Sequence, residues 1–329
     1  REKQHRLDTT QLLRYAPYDY QKAFHREGSG CAQRILMAAN RVGKTYCGAA
    51  ETAYHLTGNY PAWWEGRKFN KPVRVWAAGE SNDTTRDIIQ SELFGNPQDP
   101  DKKGKGAVPL SCIAETTRKP GVPNAYSSVL VKHKSGGNSH ISFKAYEQGF
   151  EKFMGEAIDV VWLDEEPKQE IFSQCITRTV DTNGVVYMTF TPERGMTNVV
   201  SGFLNDLKPG QSLTTATWED VDHLNEDTKK QLLAVYSPAE RDMRSKGIPV
   251  FGSGLVYPVS EDDIICDDFD IPSHYPRIAG IDFGFDHPTA ISWIALDPDD
   301  DILYIYDEYR RSKETPITHA SALNARTPG

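Results

Sequence analysis

The chain has few cysteines, and none of them belongs to a recognisable motif. The five lie far apart, with no C-x-x-C pair and no metal-ligand spacing: Cys31, Cys47, Cys112, Cys175 and Cys266. The sequence therefore gives no support to a disulfide framework or a zinc site. We expect reduced thiols in a cytosolic protein.

Long hydrophobic runs are also missing. No apolar run approaches the roughly 18 residues that a transmembrane helix needs, so no membrane span and no membrane partner are expected. The first residues, Arg1 to Arg6, are polar and lack the apolar core of a secretory signal. Because the sequence starts without methionine, we expect a fragment or a processed chain.

The chain has fewer basic than acidic residues. Lysine and arginine number 37 against 46 aspartates and glutamates, and the net charge of −9 is not that of a dedicated DNA-binding module. Local basic patches can still bind nucleic acid, so the charge balance leaves transient DNA binding open. A hydrophobic content of 38% predicts a soluble globular protein, and a length of 329 residues favours two domains.

The most informative stretch runs from Arg34 to Thr45. An apolar run leads into a short polar loop closed by Gly43-Lys44-Thr45, and helix-compatible residues follow. This is the strand–loop–helix order of a phosphate-binding loop, although Ala38 stands where G-x-x-x-x-G-K-[ST] has its first glycine. We predict that ATP phosphates bind to Asn40, Arg41, Val42, Gly43, Lys44 and Thr45. Lys44 would reach the β- and γ-phosphates, and the Thr45 hydroxyl would ligate Mg²⁺.

Two residues near this loop are further candidates. Arg41 lies inside the loop, where its charge can also reach phosphates and stabilise the reaction within the same subunit. Gln21 lies just upstream, and its amide can donate and accept at once, as contact with an adenine edge requires. The alternative for the Gln21 segment is a helix that simply packs on the core.

A second motif follows about 120 residues downstream, where an apolar strand from Ile158 ends in Asp164-Glu165-Glu166. Asp164 would hold Mg²⁺ through water, and Glu165 would orient or deprotonate the attacking water. Strands ending in Asp-Glu are common. In this order after Gly-Lys-Thr, however, the motif predicts a P-loop NTPase of the ASCE type.

The next strand, Val185 to Phe190, supplies candidates for sensing the γ-phosphate. Thr189 or Thr191 would couple loss of this phosphate to movement of residues 200–247, although strand-end threonines also reflect plain β-propensity. Arg178 and Arg194 are both open as an arginine finger acting on a neighbouring subunit.

The wider pattern alternates strands with helices, which predicts a mainly parallel α/β sheet with flanking helices. The predicted strands are 73–79, 185–190 and 212–218, with a hairpin at 127–133 and 140–146. The predicted helices are 81–93, 169–179 and a helical region over 225–247 broken at Ser237-Pro238.

The pattern changes after a linker that begins with Gly247 to Gly254 and continues through an acidic stretch, 261–270. Three consecutive strands, 277–286, 289–296 and 301–306, predict an antiparallel meander. Asp282 lies inside the first of them, where a carboxylate needs a partner. A divalent metal and a hydrogen-bonded turn are both open.

Taken together, the residues resemble the large terminase subunit of tailed bacteriophages and prophages. The resemblance covers essentially the whole chain and rests on the order of five motifs: Tyr18 to Gln21, Ala38 to Thr45, Val160 to Glu166, Thr189 to Pro192 and Gly280 to Ala290. It implies an ATPase domain over 1–247, with 200–247 as a helical lid or linker subdomain. A linker over 248–275 and the start of an RNase H-like nuclease over 276–329 would follow.

The resemblance also implies cofactors and partners. ATP and Mg²⁺ would serve the ATPase, and Mg²⁺ or Mn²⁺ the nuclease, with Asp282 as its first acidic ligand and catalytic carboxylate. Because the sequence stops at Gly329, the other ligands should lie further along, and this chain is not expected to cut DNA by itself. The implied partners are double-stranded DNA, a small terminase subunit, the portal of a procapsid and further copies in a ring, all in the cytoplasm of a host bacterium.

Two other functions remain open. A helicase or DNA-repair ATPase would use the same core to unwind DNA. A nucleotide-binding scaffold would use it as a structural switch without significant turnover.

Overall fold

The computed structural model describes residues 11–249 and 264–326. Its contacts divide the chain into two compact units, Arg1–Val259 and Ser260–Gly329. The first ten residues, part of the predicted linker and part of the acidic stretch lie outside the described residues, so the predicted domain boundaries stay a prediction. Among the helices described, none is long and apolar enough to cross a membrane.

An eight-stranded sheet forms the centre of the first unit. Its strands are β1 (Gln33–Ala38), β2 (Arg74–Gly79), β3 (Ile113–Arg118), β4 (Tyr126–Lys132), β5 (Asn138–Ala145), β6 (Val160–Asp164), β7 (Val185–Phe190) and β8 (Gln211–Ala216). They lie in the order β3-β4-β5-β2-β6-β7-β1-β8. Among these eight strands, the β3–β4 and β4–β5 pairs are antiparallel and the other pairs are parallel. The predicted α/β fold is confirmed, whereas β3, a mostly exposed edge strand, was not predicted.

The helices of this unit are α1 (Asp19–Glu27), α2 (Lys44–Thr57), α3 (Asn82–Thr84, Thr85–Gln90 and Ser91–Phe94), α4 (Gln169–Val180), α5 (Asn198–Asn205), α6 (Glu226–Val235) and α7 (Pro238–Lys246). Short 3₁₀ turns lie at Gln11–Arg14, Pro100–Lys102, Leu110–Cys112, Tyr146–Gln148, Phe150–Phe153 and Trp218–Asp220. Helix α3 begins where predicted, because Ser81 accepts a hydrogen bond from the Thr84 amide at 3.1 Å. Its middle segment, Thr85–Gln90, is π-helical, which the sequence pattern did not predict.

The sheet is covered on both faces, which explains why its central strands are almost wholly apolar. In β1, Leu36 and Ala38 belong to the core on the α1 and α2 side. Ile35 and Met37, which alternate with them, belong to the core on the α4 and α5 side. This alternation is the period of two expected of a strand, with both of its faces buried.

A buried charged cluster fixes α1 and α2 to β1. The Arg34 and Glu51 side chains are fully buried and form an ion pair, and Arg34 also donates to the Phe24 carbonyl at 2.7 Å. His25 contacts the Glu51 carboxylate at 2.7 Å and His55 contacts it at 3.3 Å. Burial opposes the charge of Glu51, but Arg34 and the two histidines hold its pKa well below its ordinary value. Four polar groups therefore bind one another beneath the helix that follows the predicted phosphate loop, and the Arg34 Nε is the atom left without an acceptor among the described residues.

The second unit is a three-stranded antiparallel meander, as predicted. Its strands β9 (Arg277–Asp282), β10 (Thr289–Asp297) and β11 (Ile302–Arg311) precede helix α8 (Pro316–Arg326). Residues Ala322 and Leu323 of this helix pack on a small core around Trp293. Asp282 is the last residue of β9 and is exposed. Among the described residues, β9 is an edge strand and is mostly exposed, so the strand itself does not force Asp282 to find a partner. A metal and a hydrogen-bonded turn both stay predictions for this residue.

The charged cluster makes a testable contribution to stability. We expect Glu51→Gln to lower the free energy of unfolding by about 3–5 kcal/mol, because it leaves the buried Arg34 charge unpaired. Urea unfolding measures the change. The control is Asp19→Asn, which breaks an exposed pair with Lys22 and should cost less than about 1 kcal/mol. Equal, small changes in both variants would contradict this account of the cluster.

Candidate functional site

The sheet topology brings the predicted motifs to one edge. Strand β7 lies between β1 and β6, and all three run parallel. Their carboxyl ends therefore meet, and the loop after β1 lies close to the residues that end β6 and follow β7. This places Lys44, Asp164 and Thr191 in one site, although they are distant in the sequence.

The loop after β1 takes a backbone shape that needs glycine at its end. Gly43 is the N-cap of α2, with φ of 87°. A side chain there would adopt strained backbone, and its Cβ would lie 3.2 Å from the Gln21 Nε2 atom. Arg41 also has a positive φ, of 63°, and its side chain is exposed. Ala38, which replaces the first glycine of the motif, is fully buried at the end of β1.

Every carbonyl group from residue 39 to residue 43 accepts a hydrogen bond from a side chain. The donors are Lys44 to Ala39 (2.7 Å), Trp218 to Asn40 (2.8 Å), His223 to Arg41 (2.8 Å), Tyr20 to Val42, and Gln21 to Gly43 (3.0 Å). Because a trans peptide points its C=O and the following N–H in opposite directions, the N–H groups of residues 41–44 face away from these donors. The loop is thus shaped as a nest of N–H groups at a helix N-terminus, which binds anions.

His223 holds the loop from outside. The Arg41 carbonyl can only accept, so the His223 Nε2 carries a proton and donates to it. The other ring nitrogen, Nδ1, forms a hydrogen bond with the Tyr18 hydroxyl at 2.9 Å. A tyrosine therefore orients the histidine that binds the loop.

Lys44 is buried and joins the loop to β7. Its Nζ donates to the Ala39 carbonyl and to Thr191 Oγ1, both at 2.7 Å. Thr191 Oγ1 in turn donates to Asn40 Oδ1 at 2.6 Å. Burial lowers the pKa of Lys44 to about 8, against the opposing effect of Glu165 and Asp164.

Asp164 is buried at the end of β6 and is held by two threonines. Thr45 Oγ1 lies 3.1 Å from Oδ1 and 3.2 Å from Oδ2 of its carboxylate. Thr189 Oγ1 donates to Oδ1 at 2.7 Å and accepts from the Trp162 indole at 2.8 Å. Burial raises the pKa of Asp164 to about 6, while the threonines favour its ionised form.

The donor set of this site fits Mg²⁺, which prefers hard oxygen ligands. Asp164 and Thr45 supply a carboxylate and a hydroxyl side by side. Across residues 11–249 and 264–326, no three His, Cys, Asp or Glu side chains form a group that could hold a metal ion. A site of one or two protein ligands is the form in which Mg²⁺ is bound together with substrate phosphates.

Glu165 and Glu166 differ in exposure. Glu165 has a positive φ of 66°, its amide donates to the Thr189 carbonyl at 3.0 Å, and its side chain is exposed in a cleft of about 480 Å³. Desolvation in the cleft and the neighbouring Asp164 charge raise the pKa of Glu165 to about 7. Glu166 contributes to the wall of the cleft but is buried, and its carboxylate accepts from the Thr197 hydroxyl, which caps α5. Of the two carboxylates, Glu165 is therefore the one open to a substrate.

The structure separates the remaining candidates. Gln21 is buried, and its Oε1 accepts from the Tyr18 amide at 3.0 Å while its Nε2 holds the loop. Arg194 lines the cleft and pairs with Glu80 at 3.0 Å. Arg178 lies at the opposite edge of the sheet, where its carbonyl accepts from the Ile158 amide. Asp282 belongs to the other unit.

Sequence reasoning missed the residues that hold the loop from a distance. Trp218 and His223 follow β8 and lie 178 and 182 residues from the loop residues that they bind. Arg244 lies on α7, where its carbonyl accepts from the Asn40 amide at 2.8 Å. No local spacing marks contacts over such separations. The predicted helical break at Ser237-Pro238 is confirmed, but it gave no indication that α7 reaches the loop.

Comparisons with known proteins identify relatives of the chain. A family model described as terminase large subunit, T4likevirus-type, N-terminal, matches residues 35–262. The terminase large subunit of Salmonella phage P22 is 35% identical over 341 residues, covering 98% of this chain and 68% of that protein.

Solved structures show the same fold. The large terminase of a thermophilic bacteriophage is 13% identical, with a TM-score of 0.54 over 94% of this chain and 74% of that one. Further structures of that phage protein are complexes with ADP or ATP-gamma-S. The large terminase ATPase domain of Thermus phage P74-26 is 17% identical, with a TM-score of 0.50 over 73% of this chain and 96% of that one. The family model and the phage P22 relative confirm the predicted resemblance, and the chain belongs to the large terminase subunit family.

Proposed function

We propose that the chain is an ATP-hydrolysing motor that moves viral double-stranded DNA into a procapsid. The observation that carries the proposal is the contact of Thr45 with Asp164, because it joins the loop after β1 to the acidic end of β6. Glu165 lies next to this contact and faces the cleft. Membership of the large terminase family supports DNA as the substrate that the motor moves.

The residues of the site have separable roles in hydrolysis. The N–H groups of residues 41–44 would bind the phosphates, and the Lys44 ammonium would leave the Ala39 carbonyl to contact the β- and γ-phosphates. Thr45 and Asp164 would hold Mg²⁺, which neutralises phosphate charge when bound. Glu165 would accept a proton from the attacking water, for which a pKa near neutrality is suited. Arg41, exposed beside the loop, would add positive charge within the same subunit.

Recognition of adenine by Gln21 stays part of the proposal, but few groups of this side chain are left to contact a base. The amide oxygen and one N–H are used by the Tyr18 and Gly43 backbone, so one N–H remains for a base. The side chain is also 2% exposed. Its first contribution would therefore be to hold the Gly43 carbonyl, and contact with adenine would require local movement.

The second unit is proposed to begin an RNase H-like nuclease that cuts concatemeric DNA. Asp282, at the exposed end of β9, would supply one ligand for Mg²⁺ or Mn²⁺. Two-metal nuclease sites need several carboxylates, and the described residues supply no such group. Nuclease activity would therefore require carboxylates from outside residues 264–326.

Assembly completes the proposal. The motor would work as a ring of copies on a portal, together with a small subunit, in the host cytoplasm. Arg194 is the better placed of the two arginine candidates to act near nucleotide, because it lines the cleft.

The first test is steady-state hydrolysis of ATP with Mg²⁺. We expect Glu165→Gln to lower turnover by roughly 10²–10⁴-fold while ATP binding persists, because a proton acceptor is lost. The matched control is Glu166→Gln, whose carboxylate is buried and bound to Thr197, so most turnover should remain. Turnover equal in Glu165→Gln and the unchanged protein would contradict the assignment of the base.

The same assay separates the proposed motor from the two other functions. Stimulation of turnover by linear double-stranded DNA, without strand separation, supports a packaging motor. Strand separation on a forked duplex would instead indicate a helicase or repair ATPase. Binding of ATP without turnover, with DNA and partner subunits supplied, would indicate a nucleotide-binding scaffold.

A second test distinguishes the two threonines proposed to couple hydrolysis to movement. Thr191 contacts Lys44 and Asn40, whereas Thr189 is fully buried against Asp164. We expect Thr191→Val to retain basal turnover but lose most of its stimulation by DNA. Thr189→Val should instead raise the Mg²⁺ concentration needed for half-maximal turnover, because Asp164 loses a hydrogen bond. Titrations of DNA and Mg²⁺ measure both effects, and identical behaviour of the two variants would contradict the division of roles.

A further inference from the structure

A further cation lies beside the loop and has no role in the mechanism above. Arg244, on α7, donates through Nη1 to the Glu193 carboxylate. Glu193 follows Thr191 by two residues and lines the same cleft as Asp164 and Glu165. The backbone of Arg244 is also tied to the loop, because its carbonyl accepts from the Asn40 amide at 2.8 Å.

Thr191 connects the Arg244–Glu193 pair to the phosphate loop. Its hydroxyl accepts from Lys44 Nζ at 2.7 Å and donates to Asn40 Oδ1 at 2.6 Å. Glu193 lies two residues further along the chain and lines the same cleft. Both members of the pair therefore lie next to residues of the phosphate site.

The donors of Arg244 are incompletely used. Its Nε is buried and donates to no acceptor among the described residues. The carboxylate of Glu240, one helical turn away, lies at 4.0 Å, and the guanidinium lies over the Tyr236 ring. A guanidinium presents a planar set of donors that matches phosphate as well as carboxylate, so a phosphate can replace Glu193 as its partner.

We propose that Arg244 binds the γ-phosphate of ATP, and that Glu193 holds the same guanidinium when no γ-phosphate is present. The inference rests on the proposed function, since it requires ATP in the loop after β1. The exchange would move the Arg244 side chain between Glu193 and the nucleotide, while the backbone of α7 stays bonded to Asn40. Gly247 permits this close packing, because a Cβ there would lie 2.7 Å from Ala38. The presence or absence of the γ-phosphate would thereby change the contacts of α7 directly.

The test compares binding of ATP-gamma-S and of ADP, each with Mg²⁺, to the full chain by calorimetry. Arg244→Gln should weaken ATP-gamma-S on the order of tenfold or more and leave ADP nearly unchanged, as loss of a charge-assisted hydrogen bond to the γ-phosphate requires. Glu193→Gln removes the competitor and should strengthen ATP-gamma-S relative to ADP. The matched control is Arg241→Gln, which changes an exposed arginine on the same helix. It should leave the ratio of the ATP-gamma-S and ADP affinities unchanged.

We expect the affinity for ATP-gamma-S relative to ADP to fall in Arg244→Gln and to rise in Glu193→Gln. These opposite changes exclude a merely structural ion pair. A structural pair predicts that both variants shift the ratio in the same direction or not at all, and either result would overturn the inference. If Arg244→Gln does not fold, Glu193→Gln still tests the inference, because the inference requires this variant to bind ATP-gamma-S more tightly relative to ADP. An unchanged protein that binds neither nucleotide would overturn the proposed function as well. Preserved ATP turnover with an unaltered ratio in both variants would overturn the Arg244 inference alone.

Discussion

The site depends on the outward hydrogen bonding of one short loop. Five consecutive carbonyl groups, from Ala39 to Gly43, accept from side chains, which turns the intervening N–H groups toward the opposite side. Four of the donors come from outside the loop's own strand and helix. Helix α1 supplies two of them, Tyr20 and Gln21, and the segment after β8 supplies Trp218 and His223. A loop that lacks the first glycine of its motif is therefore held in shape by the surrounding fold.

Burial sets the chemistry of the charged groups around this loop. Desolvation lowers the pKa of Lys44 and raises the pKa of Asp164 and of Glu165, while the three groups attract or repel one another. Phosphate and Mg²⁺ would relieve these penalties by supplying the missing charge partners. The cluster beneath α2 is different, because Arg34 and Glu51 already satisfy each other. The buried charges beneath α2 are thus paired, whereas those of Lys44, Asp164 and Glu165 are not fully paired.

Much of this architecture is predictable from the sequence, because its signals are local. The strand before Asp164, the Ser81 cap and the break at Ser237-Pro238 each follow from the residues in a short window. The π-helical segment in α3 and the edge strand β3 do not, since tertiary packing decides both. The exposure of Asp282 could not be predicted, because an apolar sequence does not distinguish an edge strand from a central one. The choice between Thr189 and Thr191 likewise needed the structure, in which Thr191 is the one that contacts Lys44.

The contacts of α7 illustrate a second limit of sequence reasoning. Arg244 and Gly247 approach the loop only because β8 lies next to β1 at the edge of the sheet. Neither residue belongs to a motif, and their partners in the loop lie far earlier in the sequence. Long-range packing of this kind joins the site to the helices that would carry its movement.

The most direct test of the account is an experimental structure of the chain with Mg²⁺ and ATP-gamma-S. We expect Lys44 to leave the Ala39 carbonyl for the phosphates, while the four donors from α1 and from the segment after β8 keep their hydrogen bonds to the loop. Mg²⁺ should then lie between Thr45, Asp164 and the phosphate oxygens. Phosphates bound elsewhere, or a loop that releases these four donors to accept them, would contradict the claim that the loop is built in advance for the nucleotide.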